Sequence, residues 1–319
     1  MQIPLYTDTF HLERDYLQQM YQLSCYDADK FLINEDRTGE PTYRSPSPFS
    51  FAFSLKDNKG KLLLPLMMGR RTPLRGVLAE LLWFLSGSRS KKDIVQKFKF
   101  PVWGEWGKPD QDDMGPVYGH QWRTWGATDE DPQGFDQITN VIDSIKKDLF
   151  SRRHVVSTWN PKELNTMWVA LPPCHGLSIQ FVVLKDALGV PELHSRVYMR
   201  STDLPVGGVA NMIMYSILTH LMAHELNLLP GTVSFFMALP HVYKNQVPAL
   251  KEWIESFYSV TKLNSCYIEF GTKEWSLKDK NLLIEDFSFY PDDDRDSSQY
   301  VFKLLKYEPN KSISFPVSI

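Results

Sequence analysis

From Leu74 to Leu85 apolar residues crowd together so closely that the segment reads as a buried helix, stopped by Ser86-Gly87. Phe135 to Phe150 places Ile, Val and Leu at helical spacing among polar residues, which predicts an amphipathic helix. Asn211 to Leu226 is a long apolar helix that ends within Asn227 to Gly231. Four runs, His154 to Trp159, Ser178 to Leu184, Glu192 to Arg200 and Thr232 to Phe236, read as strands. Strands and helices do not alternate regularly, so the pattern predicts an α+β fold with mixed sheets and a long buried helix. The polar stretches at 41–48, 108–115, 128–134 and 292–298 are too short to be linkers, which predicts a single domain. There is no repeat, and no Gly-rich loop follows a strand in a dinucleotide or P-loop pattern.

Composition changes this picture little. The 319 residues can bury a sizeable core, and 43% hydrophobic with 23% charged residues is ordinary globular composition. A net charge of -3 supplies no basic excess for wrapping nucleic acid, so any anion site must come from local clustering. The three cysteines, Cys25, Cys174 and Cys266, are too sparse for a disulfide scaffold or a metal knuckle, and a reducing compartment is expected. The first residues lack the pattern of a signal peptide, and no stretch reads as a membrane span.

Several side chains are chemically suggestive. Cys174 follows two prolines in Leu171-Pro-Pro-Cys-His175. Most lone cysteines are inert core residues, and a nucleophile needs positive charge nearby to favour its thiolate. Arg152-Arg153, Arg200-Ser201 and Arg37 are ordinary surface or turn residues by position, yet guanidiniums with a hydroxyl are what a phosphate requires. Glu80 is stranded inside an apolar helix, where a carboxylate must be hydrogen-bonded or functional. Asn211 is placed to cap its helix. His241 and Tyr243 alternate at a strand end, which puts both rings on one face. Trp103, Trp106, Tyr118, Trp122 and Trp125 supply core, or walls for a flat heterocycle.

These pieces occur in a distinctive order. Asp36-Arg-Thr-Gly39, Glu80-Leu-Leu-Trp-Phe-Leu85, Gly115-Pro-Val-Tyr-Gly119, Gln121-Trp-Arg123, Ser151-Arg-Arg153, Leu171-Pro-Pro-Cys-His175, Gln180-Phe181, Arg200-Ser-Thr-Asp203, Asn211, His241-Val-Tyr243 and Pro316-Val-Ser-Ile319 follow one another. The set resembles the thymidylate synthase superfamily from about Asp36 to the end of the chain. The resemblance implies a catalytic domain over residues 35–319, with 1–34 as an N-terminal extension packed on the core. It also implies an obligate homodimer and chemistry on dUMP with 5,10-methylenetetrahydrofolate as cosubstrate and no metal.

By the same resemblance, Cys174 adds to C6 of the pyrimidine, and Arg37, Arg200 and Ser201 hold the 5′-phosphate. Arg152 and Arg153 reach that phosphate from the other subunit, and His241 and Tyr243 bind the sugar. Asn211 reads the base, Glu80 organises proton transfer and Tyr118 helps remove the C5 proton. Trp103, Asp203, Gly207 and Val317 of the tail lie on the folate side. No nucleic acid or membrane partner is expected, and the expected location is the cytoplasm, or a host's if the source is viral.

The chain departs from the family at Met199, at Ala210 within Val206-Gly-Gly-Val-Ala-Asn211, and at Leu239. The methylating branch usually has Gln, Phe and Asp at these places. Lost bulk near the folate would admit water, so the departures favour 5-hydroxymethyl-dUMP as product. The alternative is dTMP, which Trp103 and the tail favour. A dCMP hydroxymethylase and a non-catalytic nucleotide- or RNA-binding paralogue are further alternatives. An amide at Asn211 can donate and accept, which suits uracil over cytosine.

Overall fold

A computed structural model describes residues 3–34, 38–107, 110–166, 171–261, 265–290 and 293–317. Its helices include α1 (Thr9–Tyr21), α2 (Leu74–Ser86), α3 (Tyr118–Arg123), α4 (Gln137–Lys147), α5 (Val209–Glu225) and α6 (Val247–Tyr258). The main sheet contains β1 (Leu5–Tyr6), β2 (Phe49–Ser54), β3 (Val155–Ser157), β4 (Ser178–Lys185), β5 (Pro191–Met199) and β6 (Leu229–Met237). Its spatial order is β1-β2-β6-β5-β4-β3. β1 runs parallel to β2 and β6 parallel to β5, whereas β2–β6, β5–β4 and β4–β3 are antiparallel. The sheet is therefore mixed, and the α+β expectation holds. The parallel β5–β6 pair needs a crossover, and α5 lies within it.

Alternation along the strands decides what each sheet face meets. Ile179, Phe181, Val183, Val197, Met199, Val233, Phe235 and Met237 all point inward and are buried. They meet α5, whose residues 211–223 are buried on every side, as befits a helix apolar all round. Its polar atoms find partners inside: Ser216 donates to the Met212 carbonyl at 2.7 Å, Thr219 to Tyr215 at 2.6 Å. The other face stays open. There Tyr198 and Phe236 are cross-strand neighbours, stacked at 5.5 Å, and remain 40% and 42% exposed.

The boundaries differ from the sequence pattern for local reasons. The helix read over 135–150 is α4 alone, because Asp136 caps it by accepting the Thr139 N–H, and Phe135 instead pairs with Trp125. The strand read over 154–159 stops at Ser157 ahead of a helix that starts at Pro161. Helix α5 continues a π-turn at Leu204–Gly208, so Asn211 sits inside the first turn and is not its cap. Leu204–Glu225 is also long and apolar enough to cross a membrane by composition, contrary to the sequence reading, but 83% of its apolar window is buried in this fold.

Two four-stranded sheets complete the frame. Thr42–Arg44, Pro240–Tyr243 and Thr202–Asp203 are adjacent in one, which sets Asp203 opposite His241. Leu62–Leu64, Cys266–Phe270 and Phe302–Lys306 are adjacent in the other. Helix α1 buries Leu12, Tyr16, Leu17 and Met20 against the core, and Phe10 stacks on Phe257 of α6 at 5.0 Å.

Leu218 lies at the centre of the α5 packing and is 1% exposed. Leu218→Ala should lower stability by about 2–5 kcal/mol, since the rigid sheet beneath it cannot fill the cavity. A urea titration should show a lower midpoint with an unchanged slope.

Candidate active site

The loop 171–177 brings Cys174 to the end of β5, where backbone hydrogen bonds pin it. The Cys174 carbonyl accepts the Arg200 N–H at 2.9 Å and the Ser201 N–H at 3.4 Å. The Arg200 guanidinium turns back onto the same loop, donating from Nε to the Pro173 carbonyl at 2.8 Å and from Nη2 to Pro172 at 3.2 Å. It also lies over Trp159, 5.3 Å from the ring centre. Among the described residues no carboxylate neutralises it. The pair of prolines thus presents two carbonyls to the arginine beside the thiol.

Tyr118 approaches Cys174 from α3. Its hydroxyl accepts the Cys174 N–H at 2.9 Å and lies 3.3 Å from Sγ. The phenol ring stacks on Phe84 of α2 at 4.7 Å and on the His175 imidazole at 4.3 Å. His175 Nδ1 and the Tyr215 hydroxyl are 2.7 Å apart, which ties this stack to α5. Burial lowers the His175 pKa to about 3, so the ring is neutral across the physiological range.

Glu80 has one hydrogen-bond partner among the described residues, the Trp103 indole N–H, at 2.5 Å. Burial raises its pKa to about 7, against a smaller lowering by that bond. Trp103 is itself buried against Trp83 at 5.0 Å, so it serves here to hold the carboxylate. Burial likewise pushes the Cys174 thiol up. The Tyr118 hydrogen bond and the Arg200 charge pull it down, and the Glu80 charge pushes it up further.

A second cluster surrounds Asp203. The Gln246 amide donates from Nε2 to Asp203 at 3.0 Å and to the Pro316 carbonyl of the tail at 3.1 Å, while its Oε1 accepts the Tyr243 N–H at 3.0 Å. Burial raises the Asp203 pKa to about 6, and the Gln246 bond opposes it. Among the described residues the other oxygen of Asp203 accepts only a long 3.4 Å bond from the Val206 N–H, which leaves acceptor capacity there. His241 and Tyr243 do share a face, their rings edge-to-face at 5.3 Å. Asn211 is buried, and its side-chain amide makes no hydrogen bond among the described residues. Gly207 is half-buried beside it, and Val317 is exposed beyond Pro316.

The arginines do not all converge within one chain. Arg152 and Arg153 are exposed just ahead of β3, at the edge of the open sheet face, and form no ion pair with a described residue. Arg37 lies outside the described residues. Trp122 is core, with its N–H on Thr158 at 3.0 Å, and Trp125 and Trp106 are partly exposed. Of the three departures, Met199 is fully buried in the core, Ala210 packs on the core, and the Leu239 side chain is exposed. No cluster of His, Cys, Asp and Glu among the described residues could hold a metal ion. The surface hollows bounded by Glu252, Ser256 and Asn310, and by His224, Lys273 and Trp275, share no residue with these clusters.

Sequence reading passed over Gln246, Arg70 and Glu13. Glu13 carries the same signal as Glu80, a carboxylate within the stripe Leu12, Tyr16, Leu17 and Met20. Gln246 has no such mark, because the partners of its Nε2, Asp203 and Pro316, lie 43 and 70 residues away.

Residues 19–319 match the family model for thymidylate synthase. The chain belongs to the thymidylate synthase family. It is 36% identical to the human thymidylate synthase over 258 residues, 76% of each chain. It is 34% identical to a bifunctional dihydrofolate reductase-thymidylate synthase of Arabidopsis thaliana over 307 residues, 90% of this chain and 47% of that protein. A bifunctional relative in Leishmania major is 37% identical over 78% of this chain and 48% of its own length. The chain thus spans about half the length of these bifunctional members of the family.

The two electrostatic influences on Cys174 have opposite signs and can be read without substrate. In a Cys25→Ala background, alkylation of Cys174 by iodoacetamide should rise with pH. Tyr118→Phe removes a donor to the thiolate, so the midpoint should move up. Glu80→Gln removes an opposing charge, so it should move down. Mass spectrometry of the Cys174 peptide across pH measures both.

Proposed function

We propose that this protein methylates dUMP to dTMP, consuming 5,10-methylenetetrahydrofolate and releasing dihydrofolate. The observation that carries the reading is the meeting of Cys174, Tyr118 and an unneutralised Arg200 at the end of β5. Cys174 adds as thiolate to C6 of the pyrimidine, which makes C5 nucleophilic and divides one hard step into two easier ones. A phosphate bound by Arg200 and Ser201 holds the base for that attack, joined by Arg37 and by Arg152 and Arg153 of the second subunit. His241 and Tyr243 take the sugar hydroxyl. The Asn211 amide, without a hydrogen-bond partner among the described residues, donates to O4 and accepts from N3–H of uracil.

Glu80, poised near neutral pKa, organises proton transfer at the base, and Tyr118 stands at the position to assist loss of the C5 proton. On the folate side Asp203 offers a partly unsatisfied carboxylate tied through Gln246 to the tail at Pro316, and Gly207, Trp103 and Val317 are the further residues this reading assigns to the folate. When bound, the folate supplies the one-carbon unit and the reducing hydride. Closing the tail keeps bulk water from the reacting carbon.

Methylation is better supported than the hydroxymethylation that the departures favoured. Relatives with 36% and 37% identity bear the name thymidylate synthase. Met199 is buried in the core and Ala210 packs against it, so neither departure by itself calls for a water at the reacting carbon. Incubating the protein with dUMP and methylenetetrahydrofolate should give dTMP and stoichiometric dihydrofolate, with a Cys174→Ser sample as blank. A nucleotide heavier by one oxygen, with tetrahydrofolate retained, would establish hydroxymethylation instead.

The proposed homodimer is supported by the open sheet face that carries Tyr198 and Phe236, next to the exposed Arg152 and Arg153. Mixing Arg153→Ala with Cys174→Ala protein should restore activity, up to about a quarter of wild type in a random mixture, because each mixed dimer holds one complete site out of two. Demonstrated heterodimers without activity would remove the shared-site reading.

A further inference from the structure

Helix α1 brings to the active site two residues that precede the family match, which begins at residue 19. Glu13 is fully buried, and its carboxylate collects three N–H donors. Met68 donates at 2.5 Å, Gly69 at 2.9 Å and the Trp253 indole at 2.6 Å. Such a carboxylate is a built acceptor site, because every donor it takes would otherwise be buried without a partner. One turn along, the Tyr16 hydroxyl donates to the Leu204 carbonyl at 2.8 Å. A Cβ on Gly208 would lie 2.2 Å from that hydroxyl, so glycine is what lets the helix approach the turn after Asp203.

The loop held by Glu13 runs straight into Arg70. This buried guanidinium lies over Trp253, 4.2 Å from the ring centre, and over Phe315 of the tail, at 4.6 Å. It donates to the Pro205 carbonyl, just past Asp203. One arginine therefore touches the indole that serves Glu13, the turn that follows Asp203, and the C-terminal tail. Its charge favours ionisation of both Glu13 and Asp203.

We propose that Glu13 is a positioning residue for the Asp203 and tail side of the active site, acting through the Met68–Arg70 loop and Arg70. Helix α1 thereby becomes part of the catalytic assembly. The inference rests on the reading of Asp203 and the tail as the folate side. Loss of the carboxylate leaves the Met68 and Gly69 amides unsatisfied, shifts Arg70, and loosens Phe315 and Pro205 together. Cys174 and Arg200 of the nucleotide side share no hydrogen bond with Glu13, Arg70 or Tyr16 among the described residues.

Glu13→Gln keeps the size and replaces one acceptor oxygen by an amino group facing a backbone donor. In the full-length variant, deuterium uptake within minutes should rise in peptides covering 203–208 and 311–317 and stay unchanged in β4 and β5. The dissociation constant for dUMP should hold while KM for methylenetetrahydrofolate rises roughly tenfold, the scale of one lost buried hydrogen bond. Trp253→Phe removes a single donor and keeps a ring, so it should give a smaller change of the same pattern even if Glu13→Gln does not fold. Unchanged uptake at 311–317 in the folded variants, or a rise spread evenly over the protein, overturns the proposal. A local rise in a protein whose wild type does not turn over dUMP sinks the reading of the reaction and leaves the link from Glu13 to the tail standing.

Discussion

The Tyr118 hydroxyl accepts the Cys174 N–H at 2.9 Å while lying 3.3 Å from the sulfur, and the surrounding structure keeps that phenol from moving. Phe84 and His175 clamp its ring from two elements, and Tyr215 fixes His175 from the central helix. A thiol held only by its own loop would have many orientations. Here the loop is fixed to β5 by the Arg200 and Ser201 amides, and the side chain is fixed to α2, α3 and α5 through aromatic packing. This explains why the buried helix α5 bears on the Cys174 loop as well as on the core: its Tyr215 holds His175 while the rest of it fills the sheet.

Desolvation then sets the electrostatics. Cys174, Glu80 and Asp203 all have pKa values raised chiefly by burial. Each has few compensating partners, so each keeps capacity for a ligand. Glu13 is also raised to about 7 by burial, yet it has three donors, and its acceptor capacity is largely spent inside the protein. The number of internal partners thus separates acids available to a ligand from an acid that serves the frame.

Much of this was legible in the sequence because it leaves local marks. Glu80 stood out as a carboxylate inside an apolar helix, Cys174 by its prolines, and His241 with Tyr243 by strand alternation. The strands β4 and β5 followed from their runs of alternating residues. Helix α4 was overestimated because apolar spacing runs past the point where Asp136 caps it. The contacts of Gln246, Arg70 and Glu13 left no such mark. Glu13 meets its loop 55 residues on, and Gln246 meets Pro316 70 residues on, distances over which no periodicity speaks. Glu13 answers to the rule that singles out Glu80, but nothing local in the first segment ties it to the site.

The proposed reading, in which a second chain completes the site, turns on the charge available at the thiol. A nucleotide phosphate is close to a dianion and satisfies its oxygens with several guanidiniums. Arg200 has already committed Nε and Nη2 to the Pro173 and Pro172 carbonyls, which fixes its orientation and leaves only part of its fork for a ligand. Arg152 and Arg153 have made no such commitment to a described carboxylate, and they stand exposed at the sheet edge where the uncovered Tyr198 and Phe236 face begins. An exposed cation pair gains little by itself, and an open aromatic face loses free energy to water. On the proposed reading one event relieves both conditions. Burying the face against its copy carries the arginines into reach of the partner's phosphate, so the apolar area that drives association also delivers the charge that the lone site lacks.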